Sequence, residues 1–167
     1  MRKHSINTGK TILLVDSDPG LVRSVRTVLE RQGYHVETAA TGTQALDKLC
    51  ANRPDLLISE ATLPEMDGFE LLSNVRRDPM LGDLPVIMLT GRAHESHFME
   101  GYSRGADMYL TKPFNPAELI AFVKRLLSSQ SDYGDDGGAW VFTGVPVRPR
   151  PPVRPARDAK PFPPWDK

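Results

Sequence analysis

Five side chains carry the chemistry of a charged pocket: Asp16, Ser17, Glu60, Thr90 and Lys112. Each stands at or just past the end of a short apolar run. Residues 57–68 read LISEATLPEMDG, so one such run passes directly into Glu60. ILLV stops at Asp16-Ser17, VIML at Thr90, and MYL leads through Thr111 to Lys112. Carboxylates, hydroxyls and an ammonium held together can bind a cation, accept a transferred group or pair with one another. They can do so only if the fold brings them to one place.

The apolar spacing identifies elements able to do that. Ile12–Val15 reads as a strand, and Leu21, Val22, Val25, Val28 and Leu29 then recur at helical spacing. Asp18-Pro19 suits the cap and first turn of that helix, and Gly33 its stop. Tyr34–Thr38 is a strand, and Ala45, Leu46 and Leu49 mark a second helix, with Cys50 expected as a small core residue on it. Leu56–Ser59, Val86–Thr90 and Met108–Leu110 are further strands. Phe69, Leu72 and Val75 mark a third helix, a fourth ends before Gly105, and Leu119, Ile120, Val123, Leu126 and Leu127 face a closing fifth. Met80, Met88, Met99 and Met108 read as packing residues. Strands apolar throughout, alternating with helices, predict an α/β fold: a (βα)5 doubly wound parallel sheet covered on both faces. Such sheets gather their chemistry at the C-terminal strand ends, where all five polar side chains would meet.

Composition bounds the rest. Basic and acidic residues balance at 21 each, which argues against a general polyanion binder. The single cysteine forbids an internal disulfide, and no run of 18 apolar residues exists to cross a membrane, so a cytoplasmic protein is expected. Residues 1–10 read as a polar extension, 11–130 as the folded domain and 131–167 as a Gly/Pro/Arg-rich tail. The tail holds eight of the 15 prolines and lacks apolar periodicity, so disorder is expected there. It contains PxxPxR at Pro149–Arg154, a possible docking peptide for aromatic grooves. Its one apolar patch, Ala139–Phe142, either folds back on the domain or meets a partner. No nucleic-acid partner is expected, because the basic tail lacks interleaved aromatics. His94 and His97 have no ligand-type neighbours and read as solvent-facing.

Four blocks, ILLVDSDP, PDLLISEATLPEMDG, PVIMLTGR and GADMYLTKPF, resemble in order and interval the receiver domains of response regulators, the CheY-like family of two-component phosphorelays. The resemblance covers about residues 10–130 and implies the strand order 2-1-3-4-5. In that family an aspartate ending the third strand accepts a phosphoryl group from a histidine kinase. Two acids after the first strand, with a backbone carbonyl two residues past the acceptor, hold Mg²⁺. A Thr or Ser and a Lys-Pro contact the phosphoryl group, and an aromatic on the fifth strand turns inward.

Carried over residue by residue, the resemblance implies Asp16 as the first acid, Thr62 as the carbonyl and Thr90 and Tyr109 as the switch pair. Lys112 becomes the phosphate contact, with a cis bond before Pro113. Two positions depart: Ser17 replaces the second acid and Glu60 the phosphoacceptor aspartate, while Asp18 stays a helix cap. A hydroxyl is a poor ligand for Mg²⁺, and losing a full charge beside a metal weakens binding by several kcal/mol, on the order expected at interior dielectric. The extra methylene of Glu60 moves its carboxylate about 1.5 Å outward, one C–C bond, where roughly 1 Å of misplacement can cost about 10²-fold. Glu60 then either pairs with Lys112 without conformational bias, imitates the phosphorylated state with a bond from Thr90, or retains residual phosphorylation.

The expected function is thus a phosphorylation-independent pseudo-receiver acting by protein–protein contact, not an enzyme. No cofactor is expected, and Mg²⁺ at most weakly. Its partner would be a histidine kinase or another signalling protein on the face of the fourth helix, fifth strand and fifth helix. The runner-up is a conventional receiver phosphorylated by a histidine kinase. An enzyme on a flavodoxin-like fold ranks behind both, since no Gly-rich phosphate loop, GxSxG or HExxH pattern is present.

Overall fold

Runs rich in Leu, Ile and Val form five strands: β1 (Thr11–Val15), β2 (His35–Ala39), β3 (Leu56–Glu60), β4 (Val86–Gly91) and β5 (Met108–Lys112). The computed structural model describes residues 9–91 and 105–128. All strand pairs are parallel, in the order β2-β1-β3-β4-β5. Four helices are described: α1 (Pro19–Arg31), α2 (Gly42–Asn52), α3 (Gly68–Arg77) and the closing helix, α4 (Pro116–Ser128).

Side chains alternate across a strand, so one sheet feeds two cores. Ile12, Leu14, Ile58 and Leu89 pack under α1 and α4 with Val25, Leu29, Leu119 and Val123. Leu13, Val15, Leu57 and Met88 pack under α2 and α3 with Ala45, Leu49, Leu71 and Val75. Central strands are buried on both sides and therefore read as continuous apolar runs. β2 is one of the two edge strands, and its sequence HVETA keeps exposed His35 and half-buried Glu37 and Thr38.

Several boundaries differ from expectation. β2 starts one residue later, and Tyr34 instead packs into the α1–α4 core. β3 and β5 run further than expected, so Glu60 and Lys112 belong to their strands rather than to the loops beyond, and β4 runs one residue past Thr90 to Gly91. Ladder pairing extends them: Gly91 sits opposite Lys112 in the register. Cys50 is exposed, not a core residue. The buried stripe of α2 is Gly42, Ala45 and Leu49, and residue 50 falls about 100° beyond it. Met80 is exposed as well, whereas Met88 and Met108 are buried. The expected fourth helix with His94, His97 and Met99, the extension through residue 8 and the tail from 129 lie outside the described residues.

Among the described residues, no helix is long and apolar enough to cross a membrane.

Candidate functional site

Three strand ends build the pocket. Parallel register sets Val15 opposite Ser59 and Glu60 opposite Leu89, so Asp16, Glu60 and Thr90 emerge on neighbouring strands at one edge. β5 adds Lys112 beside Gly91. The peptide between Lys112 and Pro113 is cis.

Local chemistry fixes each end. Asp18 caps α1, its Oδ1 accepting from Gly20 N at 2.8 Å and Leu21 N at 3.3 Å. It is a cap and not a pocket acid. Asp67 caps α3 through Phe69 N and Glu70 N. Gly68 follows, and a Cβ there would lie 2.0 Å from the carbonyl oxygen of Glu60. Only glycine lets the loop return so closely under β3, where Gly68 N donates to Ala61 O at 2.8 Å. Gly42 plays the same part at the start of α2, against Met66 O. Neither glycine stood out in the sequence, because a close approach leaves no periodic signal.

At the centre is a bridged pair of carboxylates. Lys112 Nζ donates to Asp16 Oδ2 at 2.6 Å and to Glu60 Oε1 at 3.0 Å. The other Glu60 oxygen, Oε2, accepts from Ser17 N at 3.2 Å and Ser17 Oγ at 3.0 Å. Asp16 Oδ1 accepts from Asp18 N at 2.9 Å. The bond expected from Thr90 to Glu60 is not made: Thr90 is buried and its Oγ1 has no hydrogen-bond partner among the described residues. Ser17 supplies the donor instead, because it sits at the end of β1, directly beside β3. Tyr109 lies within the α2–α3 core, and Thr62 is exposed two residues beyond Glu60.

Burial and pairing compete at each group. Burial pushes the Asp16 carboxyl up, and the Lys112 ammonium and the Asp18 N–H recover only part of that. Burial also pushes Glu60 up, but Lys112 and the two Ser17 donors outweigh it and hold Glu60 below the usual glutamate range. For Lys112, burial pushes down and its bonds to Asp16 and Glu60 outweigh it, so the ammonium is held above the usual range. Pairing favours the charged forms of Lys112 and Glu60, whereas burial makes Asp16 the weaker acid.

The donor set does not suit a resident Mg²⁺. That ion needs near-octahedral oxygen ligands at about 2.0–2.1 Å. Here an ammonium already bridges both carboxylates, and the residue in the second acid position donates to Glu60 through its N–H and hydroxyl.

Sequence reasoning missed a second polar cluster at the opposite end of the sheet. Arg76 Nε donates to Gly105 O at 2.8 Å, and its Nη1 to Gly82 O and Leu84 O at 3.1 and 2.7 Å. Its Nη2 pairs with Asp107 Oδ2 at 3.0 Å, an oxygen that also accepts from Val86 N. A lone Arg in an amphipathic helix gives no sign of such partners.

The chain is similar to known proteins over this region. The model of the response regulator receiver domain matches residues 12–124. Response regulator Rre1 of Synechocystis is 41% identical over 128 residues, covering 76% of this chain and 55% of that protein. The phosphate regulon transcriptional regulatory protein PhoB of Pseudomonas aeruginosa is 39% identical over 119 residues, 71% of this chain and 52% of that one. The chain thus spans about half the length of these curated relatives. The structure of the chemotaxis response regulator CheY4 of Vibrio cholerae matches with a TM-score of 0.68 at 38% identity, covering 72% of this chain and 100% of that one. With the 2-1-3-4-5 sheet and a family match over most of its length, the chain belongs to the response-regulator receiver domains of two-component signal transduction.

Proposed function

We propose that this receiver works without phosphorylation, as a protein-interaction module whose pocket is held by its own ion pairs. One observation carries the reading: both oxygens of Glu60 are engaged, Oε1 by Lys112 and Oε2 by Ser17. Phosphoryl transfer depends almost wholly on positioning and on charge stabilisation around the transferred group. Here the acceptor position carries a longer acid whose charge is already met, and the pocket cation is a lysine. Glu60 bonds Ser17 and not Thr90, so the arrangement is a closed latch rather than an imitation of a bound phosphoryl group. The output surface is the face including β5 and the closing helix, and the partner is a histidine kinase or another signalling protein. The PxxPxR tail is a second contact for a partner with an aromatic groove.

The test is incubation of the full chain with acetyl phosphate and Mg²⁺, read by intact mass. No phosphoryl adduct is expected; stoichiometric labelling would overturn the reading. The paired variant Ser17→Asp/Glu60→Asp is expected to take up label. If it stays unlabelled, the block lies elsewhere than in these two residues.

A further inference from the structure

A groove of about 350 Å³ opens between α1 and the start of the closing helix. Leu21, Val25 and Val28 wall one side, and Phe114, Pro116 and Leu119 the other. Lys112 lines it too, so groove and pocket share a residue. Leu21 and Phe114 are only partly buried, which leaves apolar surface open beside a charged site. Clefts of this size and lining are binding surfaces more often than idle ones.

We propose that the groove is filled by the chain's own Ala139–Phe142 segment, AWVF, folded back from the end of α4 as an intramolecular strap. Three observations favour this occupant. The segment is the apolar patch of an otherwise polar and proline-rich tail, and its Trp140 and Phe142 are suited to an apolar cleft.

The lengths match. From Ser128 back to Pro116 is 12 residues of helix, about 18 Å at 1.5 Å per residue. From Ser128 forward to Trp140 is again 12 residues, with Gly134, Gly137 and Gly138 among them. A Gly-rich chain of that length has an r.m.s. end-to-end distance of about 19 Å. A tether whose length equals its span maximises effective concentration, on the order of millimolar. Docking with an intrinsic dissociation constant near 0.1 mM would then keep the strap seated about nine-tenths of the time.

The charges match as well. The connecting residues include Asp132, Asp135 and Asp136, and the last turns of α4 expose Lys124 and Arg125. A chain returning along α4 runs its acids past those bases. The seated strap covers the face beside Lys112, so strap and partner protein compete for it.

Trp140 and Trp165 are the only tryptophans of the chain, and both lie beyond α4. Tryptophan emission therefore reports on the tail alone. In the full chain carrying Trp165→Phe, Trp140 should emit to the blue of the free 129–167 peptide carrying the same change. Its acrylamide quenching constant should be at least about threefold lower, as expected for a mostly seated strap. Ser24→Arg, at an exposed groove position of α1, should return both readouts to the peptide values with the far-UV spectrum intact. Replacing Asp132, Asp135 and Asp136 by Asn changes no residue of the sheet or its helices and should raise quenching at low salt, with the far-UV spectrum as control. Peptide-like emission in the full chain would overturn the proposal, as would protection insensitive to both sets of changes. Protection that grows with protein concentration alongside dimer formation would overturn the strap in cis and assign the groove to a second copy.

Discussion

Glu60 Oε2 accepts two hydrogen bonds from a single residue, Ser17, one from its backbone N–H at 3.2 Å and one from its hydroxyl at 3.0 Å. The two departures from the receiver pattern are therefore partners. An acid at position 17 would set negative charge against Glu60, whereas serine offers two donors at the end of the adjoining strand. With Lys112 on Oε1, the glutamate charge is met from two sides by protein groups alone. Hydrogen bonds to charged groups are worth roughly 1.5–3 kcal/mol each net, and less where, as at Ser17, they are solvent-exposed.

Ser17→Asp should therefore act oppositely with and without divalent cation. In chelator, the added carboxylate faces Glu60 and should cost about 1 kcal/mol, since an exposed hydroxyl donor becomes a like-charge contact while the backbone N–H remains. Millimolar Mg²⁺ should restore the loss by binding three neighbouring acids. Thermal melts check this. A wild-type midpoint that rises with Mg²⁺ as much as the variant's would contradict the ammonium-for-metal arrangement.

Lys112→Met removes the cation from between two carboxylates, one of them fully buried. The expected loss is about 2–3 kcal/mol at pH 7, below that of a wholly buried pair because Lys112 retains 21% side-chain exposure. Adding Asp16→Asn should recover part of it, because one uncompensated charge disappears. Urea unfolding of the single and double variants measures the coupling.

The pH dependence has three signed parts. Glu60 is held below its ordinary value of 4.5, so its contribution is present above that pH and is lost as pH falls through its lowered value. Asp16 is raised above 3.8, so it opposes this: its contribution is present at low pH and is lost as pH rises through its raised value. Lys112 is raised above 10.5, and its contribution persists below that pH and is lost at more alkaline pH. Denaturation from pH 3 to 7, a range set by these ordinary carboxylate values, should show a shallower acid limb in Glu60→Gln and a steeper one in Asp16→Asn. Equal slopes in all three proteins would refute the assignment.

Gly68→Ala should destabilise by about 3 kcal/mol, near the top of the range for overpacking. The added Cβ meets the Glu60 carbonyl, and backbone cannot turn aside as a long side chain does. Calorimetry checks the loss. An unchanged midpoint would mean that the β3–α3 loop can open without cost.

Arg76→Lys should fail to replace arginine. The guanidinium reaches three carbonyls and Asp107 at once, which a single ammonium cannot do. About 2 kcal/mol should be lost on denaturant unfolding, the scale of charge-assisted bonds left unmade. Arg76→Ala should cost somewhat more, since Asp107 then loses its cationic partner altogether.

The sequence by itself determined the sheet and its residues of interest. Runs such as ILLV and LLI are apolar at every position because their strands are covered on both faces, and that pattern survives in one dimension. The polar residues that end those runs are legible for the same reason: the change from apolar to charged marks where the sheet meets solvent. Periodicity could not say which way a side chain leans. Thr90 was the expected hydroxyl partner for Glu60, but the strand register together with the longer glutamate gave the bond to Ser17. Burial at the rim of a helix was equally out of reach, since Cys50 is four residues from half-buried Leu46 and differs from Leu49 by one step of rotation. The close passage of Gly68 under β3 and the fan of carbonyls around Arg76 depend on segments far apart in the chain. Only tertiary structure decides such contacts, because they arise from distance between backbones and leave no repeating trace in residue order.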